Sequence, residues 1–188
     1  TFISAKAGYP VIGSDIGGYL DLDDKSLDKI PADTLTFARW TAMSALMPFF
    51  QLHGRANYTP WTVPDHVDET VAMYRYWAKL HDALVPFFYS LSEESWAKGG
   101  SMLAPIGAQA EWKGDYRYLL GNTFLVAPLL DATGKRDVSL PAGDGWYDWF
   151  APAADRLEGG TKVSLDYSAA RVKLPVFVRA GALVPMDV

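Results

Sequence analysis

Apolar and polar positions change rhythm once along this chain, near Gly99-Gly100. Before that point, short unbroken apolar runs alternate with longer stretches in which apolar residues return at helical spacing. Tyr9 to Ser14 predicts a buried strand that leads into Gly17-Gly18, followed by a polar loop holding Asp21, Asp23, Asp24 and Asp28. Pro31 and Asp33 suit a helix start, and Leu35, Ala38, Ala42 and Leu46 share one face, so a helix is expected from Asp33 to Met47, stopped by Pro48. Phe49 to His53 predicts a second short strand, ending at Gly54. Asp65 is placed to cap a further helix, with Asp68 and Glu69 in its first turn, where negative charge suits the helix dipole. Val67, Val71, Tyr74, Ala78, Leu84, Phe88 and Leu91 line one side of it, and Pro86 should kink it. Strand, helix, strand, helix with near-continuous apolar strands is the pattern of a parallel sheet.

After Gly100 the apolar runs shorten and Gly or Pro turns separate them. Strands are expected at 101–108, 123–130, 136–140, 146–150, 162–165, 173–179 and 182–185, with turns at Pro141-Ala142-Gly143, Gly159-Gly160 and Ala180-Gly181. Many short strands at regular spacing suggest a β-sandwich. The fold class expected is therefore α/β followed by all-β, divided as residues 1–98 and 99–188. Two strand–helix units cannot close a barrel, which needs eight, so the first part is expected to be the end of something larger.

Composition narrows the partners. Of 188 residues, 49% are hydrophobic and 21% charged, which argues against a disordered chain. The net charge of -5, with no run of Lys or Arg beyond a pair, gives no reason to expect nucleic acid or an anionic membrane. No segment has the ~18 or more apolar residues that a membrane span requires. The absence of cysteine excludes disulfides and thiolate metal sites. The chain starts at Thr1 with no basic-then-apolar leader, and an internal cut is the expectation. Aromatic residues reach 14%, with 7 Trp and 10 Tyr. Such side chains stack on the C–H faces of sugar rings, and equally fill cores and domain interfaces.

In a β/α barrel, function sits where strands end and loops begin. Asp15 and His53 lie at such ends. Asp15 precedes Ile16-Gly17-Gly18, whose glycines let the backbone turn sharply or approach a ligand; it can also be a turn residue only. His53 follows an apolar run, where a structural histidine is the alternative. Gln51 lies two residues before His53 and so points to the same face, able to hydrogen-bond a ligand hydroxyl. Arg39, beside Trp40, sits where an arginine more often pairs with a carboxylate than touches substrate. His53, His66 and His81 do not fall at metal-ligand spacing. No glycine-rich phosphate cradle and no G-x-S-x-G elbow is present. Asn57-Tyr58-Thr59 is an N-glycosylation sequon followed by Pro60, read here as coincidence.

At these residues a resemblance emerges. Gly13-Ser14-Asp15-Ile16-Gly17-Gly18-Tyr19 resembles the G-x-D-I-G-G-F/Y segment of glycoside hydrolase family 31. Arg39-Trp40, then Pro48 to Gly54, resembles its R-W…P-x-x-R-x-H-G segment, and Pro60-Trp61 its following P-W. Leu120 to Pro128, Leu140-Pro141 to Asp148, and Pro175 to Gly181 match further segments in the family's order. The resemblance implies the last two β/α units of a (β/α)8 TIM barrel followed by a β-sandwich. It implies a retaining α-glycosidase acting on α-glucosides, α-xylosides, α-galactosides or sulfoquinovosides, with no cofactor and a carbohydrate as partner. Such enzymes pair a nucleophilic carboxylate with an acid/base carboxyl. In the family both precede the D-I-G-G segment, so no catalytic residue is expected here; they belong to a missing N-terminal part of the same chain. Asp15 and His53, with Gln51, match positions lining the subsite of the cleaved sugar; Arg39 and Trp61 are supporting residues. The chain departs from the family at Gln51, where Arg is usual, and at Ala104, where an Arg-Pro pair often begins the sandwich although Pro105 remains. Glutamine keeps hydrogen-bonding capacity but loses a fixed positive charge. The alternative is a non-catalytic carbohydrate-binding or structural module. The enzyme fragment is favoured because a lone quarter-barrel leaves strand edges and apolar helix faces exposed.

Overall fold

The computed structural model describes residues 1–19, 33–54, 58–170 and 173–187. Asp21, Asp23, Asp24, Asp28, Pro31 and Asn57, singled out above, lie outside the described residues.

A short helix that apolar spacing did not reveal, α1 (Phe2–Lys6), opens the chain. Five residues are too few to show a period. Tertiary packing holds it: the Phe2 ring meets Trp112, Tyr116 and Tyr118 edge-on at 5.4, 5.6 and 5.9 Å. Strand β1 (Gly13–Asp15) and strand β2 (Phe49–Gln51) pair in parallel, with Gly13 opposite Phe49 and Asp15 opposite Gln51. Both are shorter than the apolar runs suggested. Tyr9 and Val11 are exposed and outside the strand, and His53 lies two residues beyond β2.

Helix α2 (Thr34–Ala45) joins the two strands. Asp33 caps it by accepting from the Thr36 N–H at 2.7 Å, and its side-chain hydrogen bond with Thr36, then this backbone bond, hold its carboxyl below the usual carboxylate range. Helix α3 (Val67–Ala83) packs against α2. Its N-cap is His66, in a left-handed conformation (φ 50°), rather than Asp65. Thr70 N–H donates to the His66 carbonyl, while the Asp65 carbonyl accepts from the Thr34 hydroxyl instead. Pro86 does not kink one long helix. It stands in the first turn of a new one, α4 (Val85–Lys98), where its missing N–H costs no bond. The joint between the two is the fully buried Leu84.

The rest is antiparallel sheet. Strands β3 (Leu103–Pro105), β4 (Tyr118–Leu120), β5 (Phe124–Val126), β7 (Gly145–Asp148), β8 (Leu157–Glu158) and β10 (Val176–Arg179) form six strands in the order β3-β4-β5-β10-β7-β8. Strands β6 (Lys135–Ser139) and β9 (Lys162–Asp166) pair as a separate ribbon. Strand β4, between polar residues, and the two-residue β8 were not foreseen. Residues 182–185, expected as a strand, carry no ladder; Asp187 N–H bonds instead to the Ala83 carbonyl at the end of α3.

Each face of the six-stranded sheet has its own cover. On one face Tyr118, Leu120, Phe124 and Val126 share a continuous core with Ala42, Leu46, Trp77, Phe87 and Leu91 of the helices. The Tyr118 hydroxyl donates to the Leu46 carbonyl at 3.1 Å, satisfying a group that the end of α2 leaves open. On the other face Leu125, Trp146 and Phe177 meet Val138, Val163 and Leu165 of the ribbon. Asp115 clamps this ribbon. It accepts from Arg117 Nε at 2.7 and 2.9 Å and from Arg136 Nη2 at 2.6 Å. Arg136 in turn donates to the Pro128 carbonyl, and Arg117 to that of Ser139.

Candidate functional site

Parallel pairing decides which side chains meet at the strand tips. Asp15 and Gln51 are register partners, so their side chains leave the sheet on one face. The Gln51 amide donates to Asp15 Oδ1. The ladder continues one step further, with Ile16 N–H on the Gln51 carbonyl at 3.1 Å. His53, two residues past Gln51, brings its Nδ1 to 3.8 Å from the same Asp15 Oδ1. The aspartate side chain is 24% exposed and the histidine 64%, so the group is open to a ligand but anchored at the carboxylate. Tyr19 closes one side, its ring edge-on to His53 at 5.2 Å.

The support behind this group comes from α2 and from glycines. Trp40 Nε1 donates to Ser14 Oγ at 2.8 Å, tying α2 to β1 beside Asp15. Gly17 has φ +85°, and a Cβ there would lie 2.6 Å from the Tyr58 ring. A Cβ on Gly54 would lie 2.9 Å from the Gly18 carbonyl and 3.0 Å from that of Tyr19. The loops after β1 and β2 therefore touch backbone to backbone.

Of the residues named from sequence, the structure brings Asp15, Gln51 and His53 together. Arg39 lines a cavity of about 90 Å³ with Leu35, Leu129, Gly134 and Tyr167, and its charge acts on Asp33 and Asp131. Trp61 is 63% exposed in the turn before α3. Trp40 and Tyr19 enter the sequence reading only as parts of the R-W and D-I-G-G-Y segments and Tyr58 only within the sequon, none of them with a role at this site. Among the described residues, no cluster of three or more His, Asp or Glu side chains is placed to hold a metal ion.

A carboxylate, an amide and an imidazole converging on an open face offer hydrogen bonds to a polyhydroxylated ligand. They do not by themselves supply two carboxyl groups across a scissile bond.

Comparison with known proteins bears on the whole length. The model for the glycosyl hydrolases family 31 TIM-barrel domain matches residues 2–91, and that for the glycosyl hydrolase family 31 C-terminal domain matches residues 93–184. An α-xylosidase from Saccharolobus solfataricus is 28% identical over 191 residues, covering 96% of this chain and 24% of its own length. The human neutral α-glucosidase AB is 27% identical over 188 residues, covering 95% of this chain and 18% of its own. The crystal structure of a family 31 α-xylosidase from Xanthomonas citri superposes with a TM-score of 0.77 at 30% identity, covering 98% of this chain and 21% of that one. The chain thus spans about a quarter or less of the length of each of these three relatives.

Proposed function

The chain belongs to glycoside hydrolase family 31, and from that premise we propose that it forms one wall of the sugar pocket of a retaining α-glycosidase. Residues 1–98 are the last two β/α units of the barrel, and residues 99–188 are a β-sandwich that buttresses it. Asp15 and His53 bind hydroxyls of the sugar being cleaved. The nucleophile and the acid/base carboxyl are supplied from outside these 188 residues. The substrate is an α-glucoside, α-xyloside or a related α-glycoside, and no cofactor takes part.

The observation that carries the reading is the meeting of Asp15, Gln51 and His53 at the tips of two adjacent parallel strands. In barrels, side chains at the carboxyl ends of strands face the substrate. Hydrogen bonds donated by ring hydroxyls to an anionic acceptor orient the sugar and strengthen as the oxocarbenium-like transition state forms. The reading is tested in the full-length enzyme carrying these residues. Asp15→Ala is expected to lower kcat/KM on an aryl α-glycoside by about 10- to 100-fold, the loss of a charge-assisted hydrogen bond, with unfolding temperature little changed. The isolated 188-residue chain should give no turnover. Turnover by that chain, abolished by Asp15→Ala, would refute the assignment of the reactive carboxyls to sequence outside it.

A further inference from the structure

The Gln51 amide lies on the aspartate, not toward open solvent, and this separates it in role from its two neighbours. An amide N–H donated to Oδ1 fixes the torsion of the Asp15 carboxylate, since a planar acid held at one oxygen cannot spin. His53 Nδ1 faces the same oxygen at 3.8 Å. Oδ2 is then the oxygen that carries no described partner. Register makes this arrangement obligatory: with Asp15 opposite Gln51, the two side chains emerge side by side from neighbouring strands. Glutamine also carries no charge. Its bond orients the carboxylate without neutralising it, whereas a guanidinium in the same place would form an ion pair.

We infer that Gln51 is a positioning residue which aims Asp15 Oδ2 at the sugar and leaves the aspartate's charge in the pocket, so that the site accepts neutral sugars and rejects anionic ones. The inference rests on the reading of this wall as a sugar subsite. A carboxylate or sulfonate on the ligand would face a like charge held in a partly desolvated wall, where repulsion over several ångströms weakens binding on the order of 10- to 100-fold. A neutral ligand donates a hydroxyl to Oδ2 at no such cost.

The test compares the full-length enzyme with Gln51→Met and Gln51→Arg on a matched pair of aryl α-glycosides, a hexoside and the corresponding hexuronide. Methionine keeps the length and packing of the side chain but cannot donate a hydrogen bond. The parent should favour the hexoside by at least about 10-fold in kcat/KM. Gln51→Met should lower kcat on the hexoside by about 10-fold, with a smaller change in KM and the preference retained. Gln51→Arg should shrink the preference by about 10-fold, through a lower KM for the hexuronide. A merely structural role would change both substrates alike and leave their ratio fixed. An unchanged ratio in Gln51→Arg, or an unchanged kcat in Gln51→Met, overturns the inference while parental turnover of the hexoside keeps the subsite reading standing. A parent with no turnover of either substrate, nor of any other aryl α-glycoside, overturns that reading, and the inference falls with it.

Discussion

Single side chains in this protein do work that its sequence displays unevenly. Asp15 and His53 could be paired from the sequence, because each is expected at the end of one of two neighbouring parallel strands, with Gln51 on the face of His53. The grip of the Gln51 amide on the carboxylate could not be read, since it depends on a register that no local pattern encodes. His81 was examined only as a metal ligand and dismissed. Its ring lies between Phe50 and Phe88, at 5.1 and 4.9 Å, with Nδ1 3.0 Å from the Ala45 carbonyl. Burial pushes its pKa below the ordinary histidine value, outweighing the opposing effects of the Ala45 carbonyl and Asp82. The folded chain therefore holds His81 neutral while the unfolded chain takes up a proton. Its contribution to stability is complete above the ordinary histidine range and is lost as pH falls through that range toward the folded value. Urea denaturation at pH 7.5, 6.5 and 5.5 should show falling stability with a shallower slope in His81→Gln; equal slopes would contradict the assignment. Tyr118→Phe tests the buried hydroxyl that joins sheet to helix. It should cost about 1 kcal/mol, because the Leu46 carbonyl stays buried without its donor. A thermal melt lower by roughly 2–4 °C is the expected reading.

Whole elements were legible where they are long and periodic. Helix α2 lies within the span read from Leu35, Ala38, Ala42 and Leu46, and Asp33 caps it as expected. Most of the failures come from tertiary contact overriding local pattern. Helix α1 exists because Phe2 has an aromatic pocket to enter, and β4 because Tyr118 and Leu120 cover the helices. The seam at Leu84 arises because Pro86 is better placed at the start of a helix than within one. Charge fixes the β6–β9 ribbon in place, and here the sequence offered no warning, since Asp115, Arg117 and Arg136 are spread over 22 residues. Asp115→Ala would leave two largely buried guanidinium groups without their carboxylate. The expected loss is on the order of 3 kcal/mol, read by urea denaturation. Replacing the exposed Lys162, whose ammonium pairs with Asp137 at 2.9 Å across the ribbon, by alanine should leave the denaturation midpoint nearly unchanged.

At the scale of the molecule, the change of rhythm near Gly99-Gly100 coincides with the end of α4 at Lys98, after which antiparallel strands follow from Leu103. It does not mark a break in the core. Buried residues from α1, α2, α3 and α4 and from the sheet form one cluster, with the Asp187 N–H to Ala83 carbonyl bond closing the chain's far end onto the helices. Residues that share a core unfold together. The described chain is therefore expected to melt in a single transition, with far-UV circular dichroism and tryptophan fluorescence giving the same midpoint. Two separated midpoints, one per half, would show that the shared core does not couple them.

The contact of Gly54 with the Gly18 and Tyr19 carbonyls carries a consequence for how a sugar would be received. Gly18, Tyr19 and Gly54 lean on each other's main chain before any guest arrives. Little disorder then remains to be lost on association, so more of each hydroxyl contact reaches the observed affinity. Even a single methyl group at position 54 would push Gly54 away from Gly18 and Tyr19 and return that entropic cost to every binding event.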